Sequence, residues 1–260
     1  MPVQTYYRQY GNSGHAVVLI HGVGLDHSMW DATAQSLAAS GHRVVRYDML
    51  GHGRTPPLQR EVELQDFTTQ LETLLQDLNI SAAAVVGFSL GALVARAYAL
   101  RYRARLTHLV LLSSVYTRSE QQRNAVRQRY DDARKKGLSS LIDSALQRWF
   151  SDEFAQARPE VLEQVRERLQ NNELRGFLPA YRVFVNADDE AAEQLATIAV
   201  PTLVVTGAQD VGSTPTMSAQ LAQRIPRSRL QVLEGVRHML PVERAEWLSE
   251  TLHEFIAEMV

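Results

Sequence analysis

No cysteine occurs anywhere in the 260 residues, which excludes disulfides, thiolate metal sites and a cysteine nucleophile. There is no apolar stretch near the roughly 20 residues that a membrane-spanning helix requires. The first residues carry no cationic patch followed by an apolar run, so nothing reads as a secretory signal. Neither sign of charge is in excess: 27 basic against 29 acidic residues leave a net charge of −2, too weak a field to draw in nucleic acid or an anionic membrane. Internal repeats, low-complexity tracts and disordered linkers are missing as well. These absences leave the expectation of a soluble, cytoplasmic chain acting on a small molecule, with homo-oligomerisation open.

A composition of 45% apolar and 22% charged residues is that of a globular protein with a sizeable core. Residues 3–10 alternate like a half-buried edge strand, and residues 16–20 and 43–47 are short apolar strands around a helical stretch at 27–39 that stops at Gly41. Leu64, Phe67, Leu71, Leu74, Leu75 and Leu78 recur at helical spacing; a strand at 83–88, a helix at 90–101 and a strand at 107–112 follow. From 116 to 190 the chain becomes charged and helical, rich in Arg, Gln and Glu, without a convincing strand. The alternation returns with a strand at 201–206, a helix at 216–224, a strand at 230–233 and an amphipathic helix at 242–257. The predicted fold is α/β: a mostly parallel central sheet with helices on both faces, formed by residues 1–115 and 191–260, interrupted by an inserted helical cap at 116–190.

The strongest local signal is Gly87-Phe88-Ser89-Leu90-Gly91, a G-x-S-x-G run between an apolar strand and a helix. A turn sharp enough to lift a serine above the sheet edge strains its backbone and leaves no room for flanking side chains, which glycine at both ends provides. The Leu90 amide then opens a helix beside the serine, where it can stabilise an oxyanion. A hydroxyl needs a base, and the base an orienting acid. His238 follows the last strand just before the final helix, and Asp210 follows the strand at 201–206, giving the chain order Ser, acid, His. The other position for the acid, after the strand ending at Leu112, offers Ser113 and Ser114 instead. The plainer readings are a loop histidine for His238 and a helix-capping aspartate for Asp210. The second oxyanion donor is expected in His21-Gly22-Val23-Gly24, at the amide of Val23. That loop lacks the third glycine of a dinucleotide fingerprint and the Gly-Lys-Ser/Thr of a P-loop. His21 and His52 read as turn-stabilising, and His15, His42, His108 and His253 as surface or packing residues.

With these residues assembled, the chain resembles the α/β-hydrolase superfamily along nearly its whole length. Tyr47-Asp48-Met49-Leu50-Gly51-His52-Gly53-Arg54-Thr55 is similar to the family's Gly-His-Gly turn, with Asp48 and His52 as scaffolding. His238-Met239-Leu240-Pro241-Val242-Glu243-Arg244 is similar to its C-terminal histidine segment. Within the superfamily the cap stretch Leu146-Gln147-Arg148-Trp149-Phe150, then Phe154 and Pro159, resembles the 3-oxoadipate enol-lactonase group of carboxylic-ester hydrolases; Leu90 and Ala92 stand where that group more commonly has methionine and glycine. The resemblance implies hydrolysis of a small ester or lactone by Ser89, His238 and Asp210 through an acyl-enzyme, without metal or organic cofactor. Activity is expected to fall in acid, since His238 must be neutral to act as base. It also implies that Trp149 and Phe150 roof the acyl pocket and that Arg148 or Arg237 meets a substrate carboxylate; core packing and plain solvation are the other readings. Ser89 argues against the aspartate-dependent dehalogenases and epoxide hydrolases. Phe88 stands where carbon–carbon bond hydrolases have asparagine. Cofactor-free haloperoxidases or perhydrolases, in which Gly-Phe-Ser is common, and a hormone receptor of the same fold stay open as alternatives.

Overall fold

Seven strands pair into one sheet, the inner ones rich in β-branched and apolar residues: β1 (Tyr7–Tyr10), β2 (Ala16–Ile20), β3 (Arg43–Tyr47), β4 (Ala83–Phe88), β5 (Leu106–Leu112), β6 (Thr202–Gly207) and β7 (Ser228–Leu233). The computed structural model describes residues 3–258; Met1, Pro2, Met259 and Val260, the outermost residues of the expected core, lie outside the described residues. The spatial order is β1-β3-β2-β4-β5-β6-β7, with β1 antiparallel on one edge and every other pairing parallel. Parallel strands must be joined by crossovers, and the crossovers cover both faces of the sheet. The middle strands are accordingly apolar throughout: all six residues of β4 are buried, whereas four of the six in the edge strand β7 are exposed.

Alternation along the strands divides the core in two. Val18, Ile20, Val85, Leu109 and Leu111 face the helices α2 (Leu64–Asp77), α3 (Leu90–Arg101) and α9 (Pro215–Arg224). Val17, Leu19, Val86, Val110 and Leu112 face α1 (Asp31–Ala39) and α11 (Ala245–Ala257). Each such side chain removed from water contributes about 1.5–3 kcal/mol, and together they fix the sheet on which the loops at its carboxyl edge stand.

Between β5 and β6 run five helices: α4 (Glu120–Lys136), α5 (Ser139–Trp149), α6 (Asp152–Ala157), α7 (Pro159–Gln170) and α8 (Leu174–Asn186). α4 packs on α5 and α8, and α7 on α5 and α6. Among the described residues no helix is long and apolar enough to cross a membrane.

Two predicted helices are each divided. At 27–39 the chain first makes a 3-10 turn over His27–Trp30, capped by the Asp26 carboxylate accepting from the Ser28 amide, before α1 begins. The expected helix at 242–257 breaks at Arg244, which lies at φ −132°, ψ 43°, into the single turn α10 (Leu240–Glu243) and α11. The break accompanies a buried Glu243 that meets Ser151 and Arg237 rather than continuing a solvated helix face. β7 begins two residues before its predicted start at 230.

Candidate active site

The turn between β4 and α3 is as tight as its glycines predict. Ser89 stands at φ 55°, ψ −113°, a region that side chains disfavour. The distortion is held from both sides: the Ser89 amide donates to Leu112 O at 2.9 Å, and its carbonyl accepts from Ala92 and Leu93 in the first turn of α3. A Cβ on Gly91 would overlap the carbonyl oxygens of Ile20 and His21, and one on Gly87 would overlap Gly91 O. Strand, turn and helix therefore close on each other at van der Waals distance, leaving the serine side chain at the carboxyl edge.

His238 reaches that edge from the loop between β7 and α10. Its Nε2 lies 3.2 Å from Ser89 Oγ and its Nδ1 lies 2.7 Å from Asp210 Oδ2. The Asp210 carboxylate is itself oriented, Oδ1 accepting from the amides of Gly212 and Ser213 at 2.8 Å each. A carboxylate on Nδ1 selects the tautomer protonated there, so the unprotonated Nε2 faces the serine hydroxyl. Ser89, Asp210 and His238 are all buried, which strengthens these hydrogen bonds. Ser113, at the place where an acid was the alternative, stands at φ 47° and donates its hydroxyl to the His238 carbonyl at 3.1 Å. It fixes the histidine's backbone, a role the sequence did not reveal.

The two amides expected to meet an oxyanion are available. Leu90 is the first residue of α3 and Val23 sits in the loop after β2; among the described residues neither amide has an acceptor. His21 secures that loop: Nδ1 donates to Gly22 O at 2.7 Å and Nε2 accepts from the Met49 amide at 2.9 Å. Burial pushes the His21 imidazole below the ordinary histidine range. Asp48 accepts from the His27 amide at 2.8 Å, His27 Nδ1 at 2.7 Å and the Arg54 amide at 2.8 Å, which is the scaffolding position the turn sequence implied. Asp26, His27 and Asp48 have metal-ligand spacing, but Asp26 is engaged by Arg168 at 3.0 Å and by Ser28, and Asp48 by His27.

Above Ser89 and His238 a cavity of about 100 Å³ is enclosed by Val23 and by residues of α4, α5, α7 and α8. Trp149 lines it, with its ring centroid 6.1 Å from that of His238. Phe150, expected beside it in the roof, does not: the backbone leaves the helix there at φ −111°, ψ 143°, and the ring is 1% exposed and stacked on Phe154 in the core. Arg148 lines the cavity, together with Arg118 and Arg129. Arg237 does not; its guanidinium holds Gln147 O, Phe150 O and Asp152.

The histidine loop and the helices over the cavity are joined closely. The Met239 amide donates to Trp149 O at 2.8 Å, and Glu243 accepts from the Ser151 amide and hydroxyl and from the Arg237 amide.

An elbow serine on a mostly parallel sheet, with an acid and a histidine converging on it, defines a class, and the comparisons agree. Residues 15–245 match the α/β hydrolase fold family model, and the chain belongs to that family. It is 30% identical to the (E)-2-((N-methylformamido)methylene)succinate hydrolase of Acinetobacter baylyi, over 96% of this chain and 93% of that one. It is 28% identical to the non-heme chloroperoxidase CPO-A1 of Kitasatospora aureofaciens, over 98% and 96%. Among solved structures, the enol-lactonase from Burkholderia xenovorans LB400 superposes with a TM-score of 0.91 at 28% identity, covering 98% of this chain and 97% of that chain.

Proposed function

We propose that this chain is a serine hydrolase that cleaves a small carboxylic ester or lactone through an acyl-enzyme. The observation that carries the reading is the single imidazole held between Asp210 Oδ2 and Ser89 Oγ. Ser89 Oγ attacks the acyl carbon as its proton passes to His238 Nε2. The amides of Val23 and Leu90 receive the oxyanion, the bond to the leaving oxygen breaks, and His238 returns the proton to that oxygen. Water then adds to the acyl-enzyme with its proton going to His238, and the acid departs as Ser89 recovers its proton. Asp210 holds the tautomer and stabilises the imidazolium. Residues 116–190 act as the cap that closes the cavity over this chemistry, on a core made of residues 1–115 and 191–260. Similarity to an enol-lactonase and to a succinate-derivative hydrolase supports the carbonyl substrate class.

The test is turnover of 4-nitrophenyl butyrate. We expect Ser89→Ala to lower kcat by about 10⁴-fold or more, with a burst of nitrophenol in the wild type if deacylation is slow. Equal rates for wild type and Ser89→Ala would refute the reading. The likeness to a chloroperoxidase favours a second one, in which peroxide takes the place of water at the acyl-enzyme. Bromination that requires hydrogen peroxide and a carboxylic acid, at rates above ester hydrolysis, would select it.

A further inference from the structure

Three arginines line the cavity that holds Ser89 and His238, and among the described residues only Arg118 has a carboxylate partner. Arg118 Nη1 lies 3.2 Å from Asp188 Oδ1, and that aspartate also serves Arg123 at 3.1 Å. Arg118 is 3% exposed, yet its Nη2 is buried with no acceptor. Among the described residues Arg129 and Arg148 have neither a carboxylate within 4.0 Å nor a hydrogen-bond acceptor. Asp210, the acid that lines the cavity, is already engaged by His238, Gly212 and Ser213. Three other arginines of the helices over the cavity are paired with carboxylates: Arg166 with Asp143, Arg168 with Asp26 and Arg182 with Glu61. Two positive charges thus stand without a carboxylate in the cavity, among Leu138, Leu141, Ile142 and Phe177.

Such an arrangement is unfavourable as it stands. Burial, and then repulsion from Arg129, pulls the Arg148 guanidinium below the ordinary arginine range. Like charges in a partly desolvated site raise the free energy of the empty cavity, and a carboxylate that forms charge-assisted hydrogen bonds with them relieves it. An arginine presents a planar fork suited to this task. A second carboxylate removes the second excess charge.

We propose that the cavity accepts a dianionic substrate, an ester or lactone bearing two free carboxylates, held by Arg129 and Arg148 with the open Nη2 of Arg118 as a further donor. The proposal rests on the hydrolytic reading of Ser89 and deepens it by naming the substrate class. Arg129, Arg148 and Arg118 are specificity residues that bind the part of the substrate that does not react.

Three 4-nitrophenyl esters test it: the butyrate, with no free carboxylate; the monoglutarate, with one; and the terminal monoester of tricarballylate, with two. We expect kcat/KM to rise at least 10-fold with each carboxylate, and the gain to shrink as salt is raised. Arg129→Gln and Arg148→Gln should each lower the ratio of tricarballylate to butyrate turnover by 10-fold or more, chiefly through KM, while Arg148→Lys retains part of it. If the three esters are hydrolysed at similar rates in a Ser89-dependent way, the anion site is refuted and the hydrolase reading stands. A gain from the first carboxylate with none from the second refutes the dianion. If no ester is turned over, titration of the Ser89→Ala protein with tricarballylate decides: binding that weakens 10-fold in Arg148→Gln supports the site, and no binding at millimolar ligand overturns it.

Discussion

His52 sits in the turn after β3 with 1% exposure, Nδ1 3.1 Å from Leu50 O and Nε2 buried without a partner. Burial, and then repulsion from His21, pushes its imidazole down to about 3, so it is neutral in the folded protein. The unfolded chain takes up a proton on this ring near pH 6.5. Stability is therefore complete above that value and is lost as pH falls from about 6.5 toward 3; at pH 5 the loss is about 2 kcal/mol. In His52→Gln the difference between Tm at pH 7 and at pH 5 should shrink correspondingly, and an unchanged difference would contradict the assignment. His21, His42 and His108, all lowered by burial, act in the same direction, so part of the acid sensitivity persists. The turn role of His52 was legible beside its glycines. The cavity position of Arg129 was harder to see, because α4 is so polar that no stripe stands out; only Val126 and Ala133 are buried on it. Those two nevertheless mark the inward face, on which Arg129 lies at i+3 from one and i−4 from the other.

Among the elements, the strand–turn–helix of β4, Ser89 and α3 carries the least tolerance. A methyl group on Gly91 would meet the backbone oxygens of Ile20 and His21, which cannot swing aside as a side chain would. Gly91→Ala should cost about 3 kcal/mol and lower activity through a displaced Ser89, measurable as a shift in denaturant midpoint at constant m together with a fall in kcat. This element was fully legible: β-branched runs announce buried parallel strands, and the two glycines announce the turn. Element ends were less so. The stop at Arg244 has no glycine or proline to mark it; it coincides with Glu243 meeting Ser151, 92 residues away in sequence, and no local pattern encodes such a contact. Separations of 70 and 125 residues likewise hid the Arg118–Asp188 pair and the hydroxyl of Ser113 under the His238 carbonyl.

At the scale of the molecule, Glu243 bridges the histidine loop and the helices over the cavity. The residue is 6% exposed, and its carboxylate accepts from two amides and one hydroxyl. Glu243→Ala strands those donors, each at about 1–3 kcal/mol, and should lower kcat more than it raises KM because His238 loses its fixed approach to Ser89. Glu243→Gln keeps an oxygen for the two amides and an NH₂ group that can donate to the Ser151 hydroxyl. It should restore most of kcat, whereas recovery of Tm alone would mark Glu243 as purely structural. The helical character of the stretch between β5 and β6 was legible in the sequence, but its bonds to the histidine loop were not. Those bonds, running through Trp149 O, Ser151 and the contacts of Arg237, limit how freely the helices of this chain can be exchanged. Helices grafted here without Trp149, Ser151 and the carbonyls of Gln147 and Phe150 would leave this histidine loop without those partners. Residues 147–152 and 237–243 are one hydrogen-bonded unit, to be replaced together or kept together in any exchange of parts.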